Sequence, residues 1–294
     1  MVKTKISLKA LVALGLLFSF ISCIPNESTV GYRVGKAESY KLLRTFAKSS
    51  LYEIECSELD DGRPIKLLDL HGTSFEVGYA YGKLLSEEIN WSYHTFVGSV
   101  LDNEMEIRLV EIFLDWQYES YVRKQLPIEF LQELKGMAKA GYETKHKLLA
   151  VYFERILVIS SFPGAIQNDI LSILADEFLR KIGIKDNALE AWVQDNYLKA
   201  VEVIKKFIKR MGVNCSFFAV WGTRTVDGKL FSMRNLDWEE NTGVNKNKLI
   251  TVFNIDGTIP HATLGYPGVL GALTGMSGAG LTVHEAGLSS HYST

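Results

Sequence analysis

Asn214-Cys215-Ser216-Phe217-Phe218-Ala219-Val220-Trp221, followed by Asp227-Gly228 and then Lys229-Leu230-Phe231-Ser232-Met233-Arg234-Asn235-Leu236-Asp237-Trp238, decides how the rest of the chain is read. The run Ser216–Trp221 is apolar and aromatic, the pattern of a buried strand. Asp-Gly is a strong hairpin signal, and Lys229–Met233 reads as the returning strand. A turn at Asp227-Gly228 sets Arg234 opposite Trp221 and Asp237 opposite Phe218. Residues three apart face opposite sides of a regular strand, so Arg234 and Asp237 both reach Cys215 only if a bulge or a strand end falls near Asn235.

Downstream of this hairpin the β character continues. A second Asp-Gly turn, Asp256-Gly257, joins a strand at Leu249–Ile255 to one at His261–Leu264. The glycine-rich stretch from Gly265 to Gly280 leaves room for short strands such as Val269–Leu273, and Leu281–His284 reads as a last strand. The C-terminal third is thus expected to be an antiparallel meander.

Upstream, the chain reads as mostly helical. Ile65–Leu70 is a strand, after which Thr73 or Ser74 caps a helix with Glu76 in its first turn. Phe75, Gly78, Tyr79, Gly82 and Leu85 recur at helical spacing, and Gly78 and Gly82, one turn apart, admit another backbone at close range. Pro127 starts a helix through Leu131, Leu134 and Met137 to Gly141. Leu148–Ser160 and Ile170–Ile182 are further helical stretches. Leu189–Met211 carries an apolar face of Val193, Tyr197, Ala200, Val201, Ile204, Phe207, Ile208 and Met211. Its lysines and Arg210 read as a solvated face in preference to a membrane-binding one. Residues 24–63 read as a polar linker with one short helix around Tyr40–Phe46. The fold class is α+β, and the change from helical to β character falls at Gly212–Cys215.

Net charge is −2, from 32 basic and 34 acidic residues, so nothing in the charge balance points to nucleic acid. Lys3, Lys5 and Lys9 precede the apolar run Ala10–Ile21, which ends at Ser22–Cys23. This is the layout of a secretory signal over residues 1–23, and it also fits a relaxed lipobox that would lipidate Cys23 and tether the chain to a membrane. Export is expected, as a secreted or membrane-anchored lipoprotein of the cell envelope, or to the lysosome in a eukaryotic source. No His/Cys/Asp/Glu spacing suits a metal, and no glycine loop suits a phosphate, so no metal or cofactor is expected.

Cys215 admits two readings. A cysteine in a core strand is commonly a small apolar filler. A cysteine opening a strand just after a helix and a glycine also suits a nucleophile freed by scission of the Asn214–Cys215 bond. Its own α-amino group, of ordinary pKa near ~8, then takes the thiol proton without a histidine. Arg234 offers a permanent cation to such a site and Asp237 a carboxylate that orients the ammonium group. Cys56, in a polar acidic stretch, could pair with Cys215 in a disulfide, but the contrast of contexts favours separate roles.

Cys215-Ser216, Thr225–Gly228 and Arg234-Asn235-Leu236-Asp237-Trp238 together resemble the signature of the acid ceramidase, N-acylethanolamine acid amidase and penicillin acyltransferase group. Gly72, Glu76, Gly78 and Gly82 are similar to the N-terminal region of its acyltransferase-like members, and Gly280–Gly287 matches as well. The resemblance covers residues 65–90 and 215–288. It implies an αββα sandwich of N-terminal-nucleophile hydrolases, with residues 24–214 a helical propeptide or α chain and 215–294 the start of the catalytic β chain. It also implies that Cys215 is the nucleophile, that Arg234 and Asp237 are its catalytic partners, and that Glu285 joins them. The implied activity is hydrolysis or transfer at amide bonds of small N-acyl, often lipidic, substrates. Bile-salt and penicillin V hydrolases use the same nucleophile on other substrates. The stretch from Cys215 to Thr294 is shorter than the family's β chain, and the family's downstream oxyanion-hole asparagine has no counterpart, so the second sheet is expected to be incomplete. A truncated inactive homologue, or a non-catalytic exported lipoprotein acting as a binding module, is the alternative.

Overall fold

A computed structural model describes residues 39–55, 64–144, 178–179, 187–210, 214–237, 243 and 246–285. The architecture is α+β. Three strands, β1 (Ser39–Phe46), β2 (Ser49–Glu55) and β3 (Ile65–Gly72), lead into the long helix α1 (Ser74–Val100). Then come α2 (Glu104–Gln117), a π turn and a 3-10 turn, and α3 (Ile128–Glu143). Among the described residues, α4 (Asn187–Asp195) and α5 (Tyr197–Arg210) precede a hairpin of β4 (Asn214–Gly222) and β5 (Gly228–Asp237). The chain continues through β6 (Leu249–Ile255), β7 (His261–Gly265), β8 (Thr274–Ser277) and β9 (Thr282–His284).

Seven strands form one sheet in the order β1-β2-β3-β6-β7-β8-β9, and β4 with β5 form a separate two-stranded sheet. The meander β6 to β9 is antiparallel throughout, as its turn chemistry predicts. Its attachment to the N-terminal strands is parallel, with Lys66–Gly72 of β3 running beside Leu249–Ile255 of β6. The large sheet therefore takes strands from both sides of Cys215.

One face of this sheet is buried by α1. Leu51, Leu68, Leu70, Leu249, Phe253 and Ile255 pack against Val77, Tyr81, Leu84 and Leu85. Thr73 caps α1 through a reciprocal box, its side chain accepting from the Glu76 amide while the Glu76 carboxylate accepts from the Thr73 amide. The two glycines of α1 do let a backbone approach. A Cβ built on Gly78 would lie 1.9 Å from the carbonyl oxygen of Glu133 in α3, and one on Gly136 of α3 would lie 2.2 Å from the carbonyl oxygen of Phe75. A charge knot ties the sheet to the same helix. The buried Glu88 carboxylate accepts from Arg44 of β1 and Lys66 of β3, each at 2.9 Å. A second core joins the C-terminal half of α1 to α2, α4 and α5 through Phe96, Phe113, Val193, Ile204 and Phe207. The basic side of α5 faces water, and Lys206 and Lys199 reach across to Asp102 and Glu106.

Several expectations change. Tyr40–Phe46 is strand β1, not a short helix, because it pairs with β2 across a two-residue turn. That turn holds no Asn-Gly or Asp-Gly, and Ala47 itself adopts φ 51°. The helix expected over Leu189–Met211 divides into α4 and α5 at Asn196, whose side-chain amide donates to the Trp192 carbonyl oxygen. The strand expected at Val269–Leu273 falls instead at Thr274–Ser277, and Val269, Leu270 and Leu273 are buried core residues. The helices expected at Leu148–Ser160 and in most of Ile170–Ile182 lie outside the described residues, as do residues 1–38 and Cys56. Among the described residues no helix is long and apolar enough to cross a membrane.

The hairpin differs most. The turn is longer than Asp227-Gly228 alone, because the Thr225 hydroxyl bonds the carbonyl oxygens of Gly222 and Lys229 and the Asp227 carboxylate accepts from the Lys229 amide. Gly222 and Gly228, with φ of 62° and 72°, close it. Arg234 therefore stands opposite Phe217, not Trp221, and Asp237 opposite Asn214, not Phe218. The run Ser216–Trp221 is also not buried as expected: Phe217, Phe218 and Trp221 are exposed by 60%, 46% and 63%.

Candidate active site

The corrected register puts the chemistry together. Residues directly opposite in an antiparallel pair share a face, and so do residues two apart. Cys215, Phe217, Arg234 and Leu236 consequently lie on one face of the hairpin. The Arg234 guanidinium reaches back along that face and donates through Nη2 to Cys215 Sγ at 3.0 Å. The same nitrogen donates to Glu285 Oε2 at 2.5 Å. The thiol itself lies 3.8 Å from Glu285 Oε2, within reach of a weak sulfur hydrogen bond. Cys215 is half-buried and its thiol is free.

Glu285 arrives from the other sheet. It follows β9 directly, and its amide donates to the Leu273 carbonyl oxygen, which fixes where its side chain starts. The Arg234 side chain is 4% exposed and that of Glu285 23%. A guanidinium so far removed from water needs a counter-charge, and the carboxylate supplies it. Arg234 Nε is buried too and has no hydrogen-bond partner among the described residues. Beside this group the Phe217 ring stacks on His284, with centroids 6.4 Å apart and planes inclined by 19°. Burial, assisted by Arg234, pushes the His284 imidazole pKa down, toward the uncharged form. Burial pushes the Tyr266 phenol up, opposed by the same guanidinium.

Of the residues singled out in the sequence, Cys215, Arg234 and Glu285 are brought into one cluster. The Asp237 side chain lies outside the described residues; its backbone pairs with Asn214 on β4. The ladder from Cys215–Leu236 to Val220–Phe231 carries no bulge near Asn235. The stacking of Phe217 on His284 is not legible in the sequence, because it depends on how the two sheets meet. Among the described residues no group of three or more His, Cys, Asp or Glu side chains is arranged to hold a metal ion.

The chain is 27% identical over 221 residues to protein dcd1B of Dictyostelium discoideum. That likeness covers 74% of this chain, which spans 37% of the length of the relative. No family model matches. No solved structure matches either.

Proposed function

We propose that the chain is the precursor of an N-terminal-nucleophile cysteine amidohydrolase or acyltransferase of the acid ceramidase and penicillin acyltransferase type. It is activated by scission of its own Asn214–Cys215 bond and belongs to the αββα class. The observation that carries this reading is the contact of the Cys215 sulfur with a buried guanidinium, which is itself held by Glu285. A structural core cysteine has no need of such a neighbour.

Scission gives Cys215 a free α-amino group, which takes the thiol proton as sulfur attacks the carbonyl carbon of an amide. A tetrahedral oxyanion forms. Arg234 bonds the sulfur and contributes positive charge beside the developing anion, while Glu285 fixes the guanidinium in place. Collapse breaks the C–N bond, and the ammonium group returns its proton to the leaving amine. The resulting thioester is opened by water in hydrolysis, or by a second amine in acyl transfer, and the thiol is regenerated. The substrate is a small N-acyl amide whose acyl group lies on Phe217, the exposed ring two residues from the nucleophile. An export signal over residues 1–23, with Cys23 as a lipid anchor, would place this chemistry in the cell envelope.

Intact mass and N-terminal sequencing of the wild type beside Cys215→Ala test the reading. Expected is a wild-type chain split so that a new N-terminus begins at Cys215, and a variant that stays whole. If both remain single chains after incubation at acidic and neutral pH, the proposal fails.

A further inference from the structure

Two polar groups on the nucleophile's face of the hairpin are buried without a hydrogen-bond partner among the described residues. Ser232 stands opposite Ala219, next along that face after Arg234 opposite Phe217 and Cys215 opposite Leu236. It is 5% exposed, and its Oγ has no hydrogen-bond partner among the described residues. Arg234 Nε is in the same condition. Leaving a buried donor or acceptor unmade costs about 1–3 kcal/mol, so two on one strand face beside a reactive thiol call for an occupant.

We infer that Ser232 Oγ and Arg234 Nε form a polar subsite that takes an uncharged, oxygen-bearing group of the substrate, and that Ser232 determines specificity there. The inference rests on the amidohydrolase reading of Cys215. The charge balance argues for a neutral group. Arg234 is already matched by Glu285 at 2.5 Å. An anion would meet the Glu285 carboxylate, and a cation would meet the guanidinium. Uncharged oxygens suit both groups, one accepting from Nε–H near the sulfur and the other, a hydroxyl or keto oxygen farther along, bonding the serine hydroxyl. Distance fixes where the serine's oxygen lies. Same-face positions on a strand are about 6.7 Å apart, so Ser232 sits about 13 Å along the hairpin from the level of Cys215. The oxygen belongs well along the acyl group, beyond the ring of Phe217.

The test uses aminomethylcoumarin amides of a straight-chain fatty acid and of analogues bearing one hydroxyl or keto oxygen at successive carbons. Expected is a wild-type preference of about tenfold in kcat/KM for one position, lost in Ser232→Ala. Urea unfolding of the substrate-free proteins is measured alongside, and Ser232→Ala should be no less stable than the wild type, because its hydroxyl bonds nothing among the described residues. A preference that survives the substitution, the lack of any preferred position, or a lower unfolding midpoint overturns the subsite. If the wild type neither splits nor hydrolyses any of the amides, it is the nucleophile reading that has failed. The substrate subsite, which rests on that reading, falls with it, whereas a missing preference in an active wild type overturns the subsite alone.

Discussion

Replacing Glu285 by glutamine isolates the one interaction on which the candidate site hangs. The Arg234 guanidinium is 4% exposed and its carboxylate partner 23%. Removing one member of a fully buried pair costs about 3–5 kcal/mol, since the remaining charge stays desolvated without a counter-ion. Glu285 is partly open to water, and glutamine keeps an acceptor oxygen at the same reach. Both reduce the loss, to about 2 kcal/mol. Equilibrium urea unfolding at neutral pH reads this as a lower midpoint with an unchanged slope. Arg234→Met combined with Glu285→Gln leaves no charge in the site, so the double variant should recover about 1 kcal/mol relative to Glu285→Gln alone. A loss below about 0.5 kcal/mol in the single variant would refute the view that Glu285 neutralises a buried cation. A double variant less stable than the single one would do the same.

Two further outcomes follow from the packing of α1. Gly78→Ala drives a methyl group to 1.9 Å from the Glu133 carbonyl oxygen, whereas a methyl at Gly98 meets nothing within 4 Å. Thermal unfolding should show Gly78→Ala destabilised by at least about 3 kcal/mol, the upper part of the overpacking range, and Gly98→Ala stabilised by up to about 1 kcal/mol. Equal effects at the two sites would dismiss close backbone contact as the reason for Gly78. Burial pushes the Glu88 carboxyl up, but hydrogen bonds from Arg44 and Lys66 outweigh it and hold the group below the ordinary range. With the folded value depressed, its contribution is complete above the unfolded value of about 4.5 and is lost as pH falls through the folded one. The wild type should thus lose stability below about pH 4.5, and Glu88→Gln, less stable at neutral pH, should show a shallower acid limb. An unaltered limb would mean that other carboxylates set it.

What was legible in the sequence was local. The cap at Thr73 with Glu76 in the first turn, the Pro127 start of α3 and the Asp256-Gly257 turn each rest on residues within one turn of one another. So does the meander, whose strands follow in order. Features decided at a distance were not legible. Tyr40–Phe46 becomes a strand because Ser49–Glu55 pairs with it, and Ala47 gives no turn signal. The hairpin register slipped because Asp227-Gly228 looks complete as a turn, while the hydroxyl of Thr225 enlarges it. That slip mattered, since the true register moves Arg234 from the level of Trp221 to that of Phe217, within reach of the thiol. Glu285 entered through family resemblance alone. Its contact with Cys215, 70 positions away, comes from the meeting of the two sheets.

The parallel ladder between β3 and β6 bears on what would become of the molecule if its backbone were severed as proposed. Seven consecutive residue pairs, from Lys66 with Leu249 to Gly72 with Ile255, stitch the part before Cys215 to the part after it. The hydrophobic layer of α1 is closed over both strands at once. Scission ahead of Cys215 would yield two polypeptides but a single particle, with no route for one half to leave except by opening the middle of a sheet. Maturation would then go unseen in a native gel and show only under denaturing conditions. The half that bears the thiol would keep as its permanent partner the segment from which it was cut.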